Sequence, residues 1–307
     1  MDDTALTFPQ KLRYGAEAAL FFLFMGLFRL IGLDAASALG GFIGRNIFAR
    51  TRVTERAREN LRAAFPEKSD AQIAAILRTM WDNLGRTVAE YAHLDKFTVT
   101  GPDARITVEG AGISNAEVAR GKGTLFVSGH FANWEVLPIA SAQFGYDGAI
   151  VFRPPNNPYV AAYIARKRAA RGYREQISKH QGVRRIFALL RGGKSVLMLV
   201  DQKTNEGIAA PFFGRDAMTT PVPAALALKL DAGILFASCQ RLEGAHFRVV
   251  VHPPLQFAAS GNYEKDLRAL TAAINARVED MVRADPAQWL WIHRRWPTQK
   301  DVAGKRA

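Results

Sequence analysis

The chain has 307 residues, of which 49% are hydrophobic, which is enough for one large domain or two small ones. A single cysteine, Cys239, excludes an internal disulfide and a cysteine-based zinc site. The formal net charge of +13 predicts attraction to an acidic partner: nucleic acid, anionic lipid, a phosphorylated substrate or an acidic protein.

The first fifty residues are strongly apolar but carry scattered charges. Their longest uncharged run, residues 18–28, is shorter than the roughly 20 apolar residues that a bilayer span needs. We therefore expect residues 1–50 to form a membrane-associated helical segment, with Arg29 reaching towards the headgroups. A spanning anchor, a buried core helix and a cleaved signal peptide with its site near Ala36 are the alternatives.

Residues 51–307 are predicted to form one α/β domain. Apolar residues at helical spacing come first, with Pro66 ending one helix and Ser69 or Asp70 starting the next. From residue 105 onward, apolar strand-like runs alternate with helical ones, and the run at 246–257 is a possible hairpin partner of the strand before it. This alternation predicts a central, mostly parallel sheet flanked by helices.

Polar side chains follow three of these strands. His130 comes after one strand, Arg153 after the next, and Asp201 with Gln202 after a third. Ligands of parallel sheets collect beyond the carboxyl ends of the strands, so we expect these residues to share one site.

The segment VSGHFANWE, residues 127–135, places His130 and Glu135 five residues apart. On a continuous helix the two side chains would point about 140° apart. They can meet only if His130 lies on the loop after the strand and Glu135 in the first helical turn, with Asn133 as a candidate N-cap. Glu135 would then accept a hydrogen bond from one imidazole N–H and leave the other ring nitrogen as a base. A capping or core histidine is the commoner explanation of such spacing.

GHFANWE resembles the H-x4-D/E signature of glycerolipid acyltransferases, and in particular the branch of the lipid A biosynthesis acyltransferases. Ala132 stands where glycine is usual before NWE. The resemblance covers roughly residues 10–297 and extends, in the same order, to ENLRAAFPE (59–67), FRPPNNP (152–158), DQKTNEGIAAPFFGRDAMTTP (201–221), LALKLDAGIL (226–235) and QWLWIHRRWP (288–297).

This resemblance implies an O-acyltransferase that uses neither cofactor nor metal. It would move a fatty acyl chain from acyl carrier protein to a hydroxyl of a lipid A precursor, at the cytoplasmic face of the inner membrane. His130 would act as general base and Glu135 would orient its imidazole. Substrate contacts would come from five further residues: Arg153, Asn133, Asp201, Gln202 and Arg294.

Several alternatives stay open beside this interpretation. The acceptor can be another glycolipid or a lysophospholipid, and a catalytically silent membrane scaffold would share the same fold. We do not expect nucleic-acid binding, because the sequence contains no recognition motif for it. Arg153 can instead brace the fold through Asp201 or Glu135, and Asp201 can be a strand-end cap.

Two further segments carry predictions of their own. The basic residues between 166 and 174 are a candidate surface for the acidic carrier protein or for anionic headgroups. His293 lies among Trp289, Trp291 and Trp296, which form either an interfacial aromatic belt or packing against the sheet.

Overall fold

A seven-stranded sheet with the strand order β1-β9-β8-β2-β5-β3-β4 forms the centre of the computed structural model, which describes residues 6–173, 175–178 and 182–296. A separate two-stranded hairpin is formed by β6 and β7. The strands are Ile106–Glu109 (β1), Thr124–Ser128 (β2), Gly148–Phe152 (β3), Glu175–Ser178 (β4), Ser195–Leu199 (β5), Ile208–Phe212 (β6), Arg215–Thr219 (β7), Gly233–Arg241 (β8) and Phe247–Val251 (β9).

Helices precede the sheet and connect its strands. They are Phe8–Ile31 (α1), Leu33–Asn46 (α2), Val53–Ala64 (α3), Asp70–Glu90 (α4), Ala111–Ala119 (α5), Val136–Gln143 (α6), Pro158–Ala169 (α7), Val183–Arg191 (α8), Val222–Leu230 (α9) and Tyr263–Ala284 (α10). The predicted break at Pro66 and the Ser69 cap are confirmed: α3 ends at Ala64, and the Ser69 hydroxyl accepts a hydrogen bond from the backbone N–H of Gln72 at 3.3 Å.

The prediction of a mostly parallel sheet is confirmed. Strands β8, β2, β5, β3 and β4 pair in parallel, whereas β9 pairs antiparallel with β8, as the predicted hairpin requires. Alternate residues of β2 face opposite layers: Leu125 and Val127 pack in one hydrophobic cluster and Phe126 in the other. Both faces of the sheet are therefore covered, which explains the continuous apolar strands.

The sequence analysis missed β4 and the β6–β7 hairpin. The edge strand β4 has only four residues, three of them polar, and it carries no alternating apolar pattern. The hairpin strand β6 contains Pro211, and a proline inside a short run argues against a strand. The turn after β6 places Phe213 at φ 52°, in the left-handed region. A bulky residue rarely adopts this conformation, so the sequence does not predict a turn there.

α2 crosses α4 at very short range. A Cβ atom on Gly44 would lie 2.0 Å from the carbonyl oxygen of Trp81, and one on Gly85 would lie 2.1 Å from the carbonyl oxygen of Gly40. Only glycine permits this approach of two backbones. α2 is thus packed against the rest of the chain, and the predicted domain boundary at residue 50 stays a prediction.

The α2–α4 crossing yields a stability test. Gly85→Ala should destabilise the protein by about 1–3 kcal/mol, because the added methyl group meets backbone that cannot move aside. Gly26→Ala on α1 is the matched control, since a Cβ there meets nothing within 4 Å and alanine favours the helix. Thermal unfolding in detergent measures both variants. Equal melting temperatures for the two would contradict the close crossing.

Candidate active site

His130 and Asp201 follow two neighbouring strands at the same edge of the sheet. Ser128, the last residue of β2, lies beside Leu199, the last residue of β5. The backbone N–H of Val200 donates to the Ser128 carbonyl at 3.0 Å, which extends the pairing to the edge. The expected gathering of side chains beyond the strand ends is seen for His130, Asp201 and Gln202.

The Asp201 carboxylate accepts three hydrogen bonds. Its Oδ1 accepts from His130 Nδ1 at 2.8 Å, and its Oδ2 accepts from the His130 backbone N–H and from Trp289 Nε1, both at 2.7 Å. Burial alone would raise the pKa of Asp201, but the attraction of His130 and these donors outweigh it and hold the pKa well below its usual range. An ionised Asp201 fixes the proton of His130 on Nδ1 and leaves Nε2 with a free lone pair.

The loop after β2 is hydrogen-bonded to a segment near the C-terminus. Leu290 N–H donates to the His130 carbonyl at 3.1 Å, and Ala132 N–H donates to the Gln288 carbonyl at 2.7 Å. This pairing brings the motifs GHFANWE and QWLWIHRRWP together. Ala132 adopts φ 44°, the left-handed region that favours glycine, at the position where the resemblance expects glycine.

The three tryptophans of that segment pack inside the protein. Trp289, Trp291 and Trp296 are 1%, 0% and 4% exposed and belong to the main hydrophobic cluster. The prediction of an interfacial aromatic belt is therefore wrong, and the alternative, packing against the sheet, is confirmed. Trp289 does more than pack, because its indole N–H is one of the three donors to Asp201.

Glu135 does not make the predicted hydrogen bond to His130. Among the hydrogen bonds of the described residues, its carboxylate accepts from Tyr91 at 2.6 Å and from Arg168 Nε at 2.7 Å, and none joins it to His130. Burial would raise the pKa of Glu135, but the Arg168 guanidinium outweighs burial and lowers it. A fully buried carboxylate needs a cation, and Arg168 on α7 supplies it, so the side chain turns away from the imidazole.

Asn133, which was predicted to contact the substrate, is buried inside the protein. It is 0% exposed, its amide donates to Glu90 at 2.8 Å, and its Oδ1 accepts from the Glu135 backbone N–H at 3.1 Å. The predicted N-cap role of Asn133 is wrong: Glu135 is the N-cap residue of α6, and no side chain caps the helix there. A side chain enclosed in this way holds the loop, and its role in substrate binding stays a prediction.

Arg153 and Arg294 are both exposed. Within the described residues, no hydrogen bond or ion pair engages either guanidinium, so the bracing of Arg153 by Asp201 or Glu135 is not observed. Their roles as anion-binding residues stay predictions.

His293 completes the site, and the sequence analysis did not assign it there. Its ring centroid lies 5.2 Å from that of His130, and Gln202 Nε2 lies 3.2 Å from Nε2 of each imidazole. Burial is the main cause that lowers the pKa of His293 to about 4. The Trp134 ring packs edge-on against His130 at 5.0 Å. The motif WIHRRW could have drawn attention to His293, but only the tertiary structure brings this motif next to GHFANWE.

No group of three or more His, Cys, Asp or Glu side chains in the described ranges is arranged to hold a metal ion. The His130–Asp201 pair suits proton transfer, because one nitrogen is held by a carboxylate and the other is available as a base. Such a pair can take the proton of a hydroxyl group and so make its oxygen a nucleophile.

The family model for the bacterial lipid A biosynthesis acyltransferase matches residues 6–298. The palmitoleoyltransferase of lipid A biosynthesis from Escherichia coli K12 is 22% identical over 255 residues, which cover 79% of this chain and 78% of the relative. The lauroyltransferase of that organism is 22% identical over 278 residues, 87% of this chain and 86% of the relative. The lipid A biosynthesis acyltransferase of Haemophilus influenzae is 24% identical over 268 residues, 83% and 82%.

Among solved structures, the 1-acyl-sn-glycerophosphate acyltransferase PlsC from Thermotoga maritima aligns with a TM-score of 0.36 at 13% identity, over 83% of this chain and 97% of that one. The family match spans nearly the whole chain, and the chain belongs to the bacterial lipid A biosynthesis acyltransferase family. It is thus an acyltransferase of lipid A biosynthesis, as the resemblance implied.

The two buried carboxylates should respond differently to loss of charge. Asp201→Asn should lower kcat by about 10²–10⁴-fold, because an amide no longer selects the Nδ1–H tautomer of His130. Glu135→Gln should mainly lower the melting temperature, because Arg168 loses its counter-charge. Turnover per folded molecule compares them. If folded Asp201→Asn keeps the wild-type kcat and folded Glu135→Gln is inactive, the catalytic partner of His130 is Glu135 and not Asp201.

Proposed function

We propose that this protein transfers a fatty acyl chain from the thioester of acyl carrier protein to a hydroxyl of a lipid A precursor, at the cytoplasmic face of the inner membrane. The observation that carries the proposal is the buried, ionised Asp201, which holds His130 at the edge of the sheet with its proton on Nδ1 and a lone pair on Nε2. Family membership supports the acceptor class.

In the proposed reaction, His130 Nε2 takes the proton of the acceptor hydroxyl as the oxygen attacks the thioester carbonyl. Asp201 stabilises the imidazolium that forms. The tetrahedral intermediate then breaks its C–S bond, and the leaving thiolate takes the proton back from Nε2. The ester is formed, the free thiol of the carrier is released, and His130 is neutral again.

This route needs no covalent acyl-enzyme. Cys239 is a poor candidate for a nucleophile, because burial raises the pKa of its thiol to about 12. Its side chain donates to the Asn133 carbonyl at 3.4 Å inside the core. The direct transfer proposed above therefore leaves Cys239 a structural residue.

Glu135 enters this proposal as a positioning residue. Its ion pair with Arg168 ties the start of α6 to α7, and the hydrogen bond from Tyr91 ties it to the end of α4. Glu135 would thus act on the imidazole through the backbone of its own loop and not by contact.

An acidic donor such as acyl carrier protein suits a protein of net charge +13. The basic run between residues 166 and 174 offers less of this surface than the sequence suggested. Arg168 pairs with Glu135 and Arg171 donates to the Phe97 carbonyl at 2.7 Å, whereas Arg166 is exposed; Arg174 lies outside the described residues. Exposed Arg153 and Arg294 are the arginines we expect to meet anionic groups of the substrates.

The membrane contact is proposed for α1 and α2. α1 is the described helix long and apolar enough to cross a bilayer, with a mean hydropathy of 1.6 and 17% of that window buried. Its apolar side chains remain largely uncovered, as do several on α2. Those more than two-fifths exposed are Phe8, Leu12, Leu20, Phe22, Leu23, Phe24, Leu27, Leu30, Ile31, Leu39 and Phe42. So large an uncovered apolar face supports burial in lipid.

Contacts at both ends of α1 favour a helix that lies in the membrane surface over one that spans. Near its start, Asn157 Nδ2 donates to the Tyr14 carbonyl at 2.9 Å, and near its end Arg29 forms two hydrogen bonds to Asp95 at 2.7 and 3.0 Å. These points are about 22 Å apart along the helix axis. The α/β domain therefore covers one side of α1 along most of its length, and the opposite side is left for lipid.

Membrane binding through this face can be tested on two exposed leucines. The double variant Leu23→Lys with Leu27→Lys should lose at least roughly tenfold in binding to anionic vesicles, because each charge opposes insertion of the apolar face. Leu242→Lys, at a leucine that is also 50% exposed, is the control and should bind as the wild type does. Vesicle flotation measures all three proteins. Unchanged binding of the double variant would remove α1 from the membrane contact.

The reaction itself is tested with acyl carrier protein thioesters and lipid A precursors, with products read by mass spectrometry. His130→Ala should lower turnover by at least ~10²-fold, the low end for loss of a general base. Near-normal turnover by folded His130→Ala would reject the mechanism. Transfer only from another donor, or only to another glycolipid or a lysophospholipid, would reject the proposed substrates and keep the reaction class.

A further inference from the structure

The Gln202 side chain lies between two imidazoles. Its Nε2 is 3.2 Å from Nε2 of His130 and 3.2 Å from Nε2 of His293, in a site where the two ring centroids are 5.2 Å apart. Gln202 follows Asp201 directly, so neighbouring residues hold the two ends of the His130 ring: Asp201 contacts Nδ1 and Gln202 contacts Nε2.

This arrangement dictates the protonation of both rings. An amide NH₂ group has two protons to donate and no lone pair to accept with. Both facing imidazole nitrogens must therefore be acceptors, which places the proton of each neutral ring on Nδ1. For His130 the Asp201 carboxylate already requires that tautomer. For His293 the pKa of about 4 agrees with a neutral ring.

His293 is well fixed for the task of holding an amide. Its backbone carbonyl accepts from Asn60 Nδ2 on α3 at 2.9 Å, and the neighbouring Ile292 carbonyl accepts from Arg56 at 3.3 Å. The charged and titratable groups that act on the two rings are Asp201 after β5 and Arg56 on α3. The Trp134 ring closes the side of His130.

We propose that His293 anchors Gln202 over the proton-accepting nitrogen of His130, so that the amide holds the imidazole in its orientation and tautomer until the acceptor hydroxyl takes its place. The inference rests on the proposed function of His130 as general base. Gln202 and His293 are positioning residues in this scheme. The amide N–H is a partner only for an Nε2 that carries a lone pair, so the contact holds the ring in the tautomer that Asp201 selects until the hydroxyl displaces the amide.

A matched pair of variants at position 293 tests the anchor. His293→Gln places an amide oxygen at about the reach of the imidazole Nε2 and should stay within roughly threefold of wild-type kcat/KM. His293→Leu offers no acceptor and should lose roughly tenfold or more, within the range of coupled contact residues. In a Gln202→Ala background, the same His293→Leu change should cost less than about twofold, because its partner is already gone.

The pH profile supplies a readout that a merely structural role would not move. Gln202→Glu puts a carboxylate beside the base and favours the imidazolium, so the acid limb of kcat/KM should move up by at least about one pH unit. The limb of kcat should move less, because kcat reports the complex in which the hydroxyl has displaced this side chain.

Several results would overturn the proposal. These are wild-type kcat/KM in folded His293→Leu, additive losses in the double variant, or an unmoved acid limb in Gln202→Glu. If His293→Leu does not fold, His293→Gln and the Gln202→Glu profile decide. His130→Ala separates this failure from failure of the proposed function: an inactive His130→Ala beside a fully active His293→Leu rejects only the anchor, whereas an active His130→Ala rejects the base itself.

Discussion

One buried carboxylate organises the site on which the rest of the structure converges. Asp201 is fully enclosed, yet it stays ionised because His130 and Trp289 direct three N–H groups at it. Two of these donors belong to His130 on the loop after β2, which the parallel pairing of β2 with β5 places beside Asp201; the third, Trp289, lies on the segment near the C-terminus that pairs with that loop. The same hydrogen bonds that offset the burial of this charge also set the tautomer of His130.

The other polar groups near the site are arranged as supports. Glu135 and Arg168 form a second buried pair behind the loop, and Glu90 with Arg241 forms a third, to which Asn133 is attached. Each pair joins elements that are distant in sequence. On the outside, α1 leaves its apolar face uncovered along the α/β domain. In the proposed function this face binds the membrane surface, and the thioester donor and the lipid acceptor meet at the edge of the sheet that carries His130.

The fold was largely predictable because buried parallel strands and amphipathic helices leave strong local patterns. Short or proline-containing strands such as β4 and β6 leave none. Strand ends also predicted that His130, Asp201 and Gln202 would gather. The choice of partner for His130 was not predictable, since Glu135 turns towards Arg168, a residue far along the chain. Likewise, His293 reaches the site only through the pairing of Phe131 with Trp289, which no local pattern encodes.

The central claim is that Asp201, not Glu135, sets the protonation of His130. Nitrogen-15 NMR of imidazole-labelled protein in detergent tests it most directly, because the two ring nitrogens of each neutral tautomer differ in shift. The account predicts that the His130 ring at neutral pH carries its proton on Nδ1, that Asp201→Asn abolishes this preference, and that Glu135→Gln leaves it intact. A His130 ring protonated on Nε2, or one whose tautomer follows Glu135 and ignores Asp201, would contradict the account.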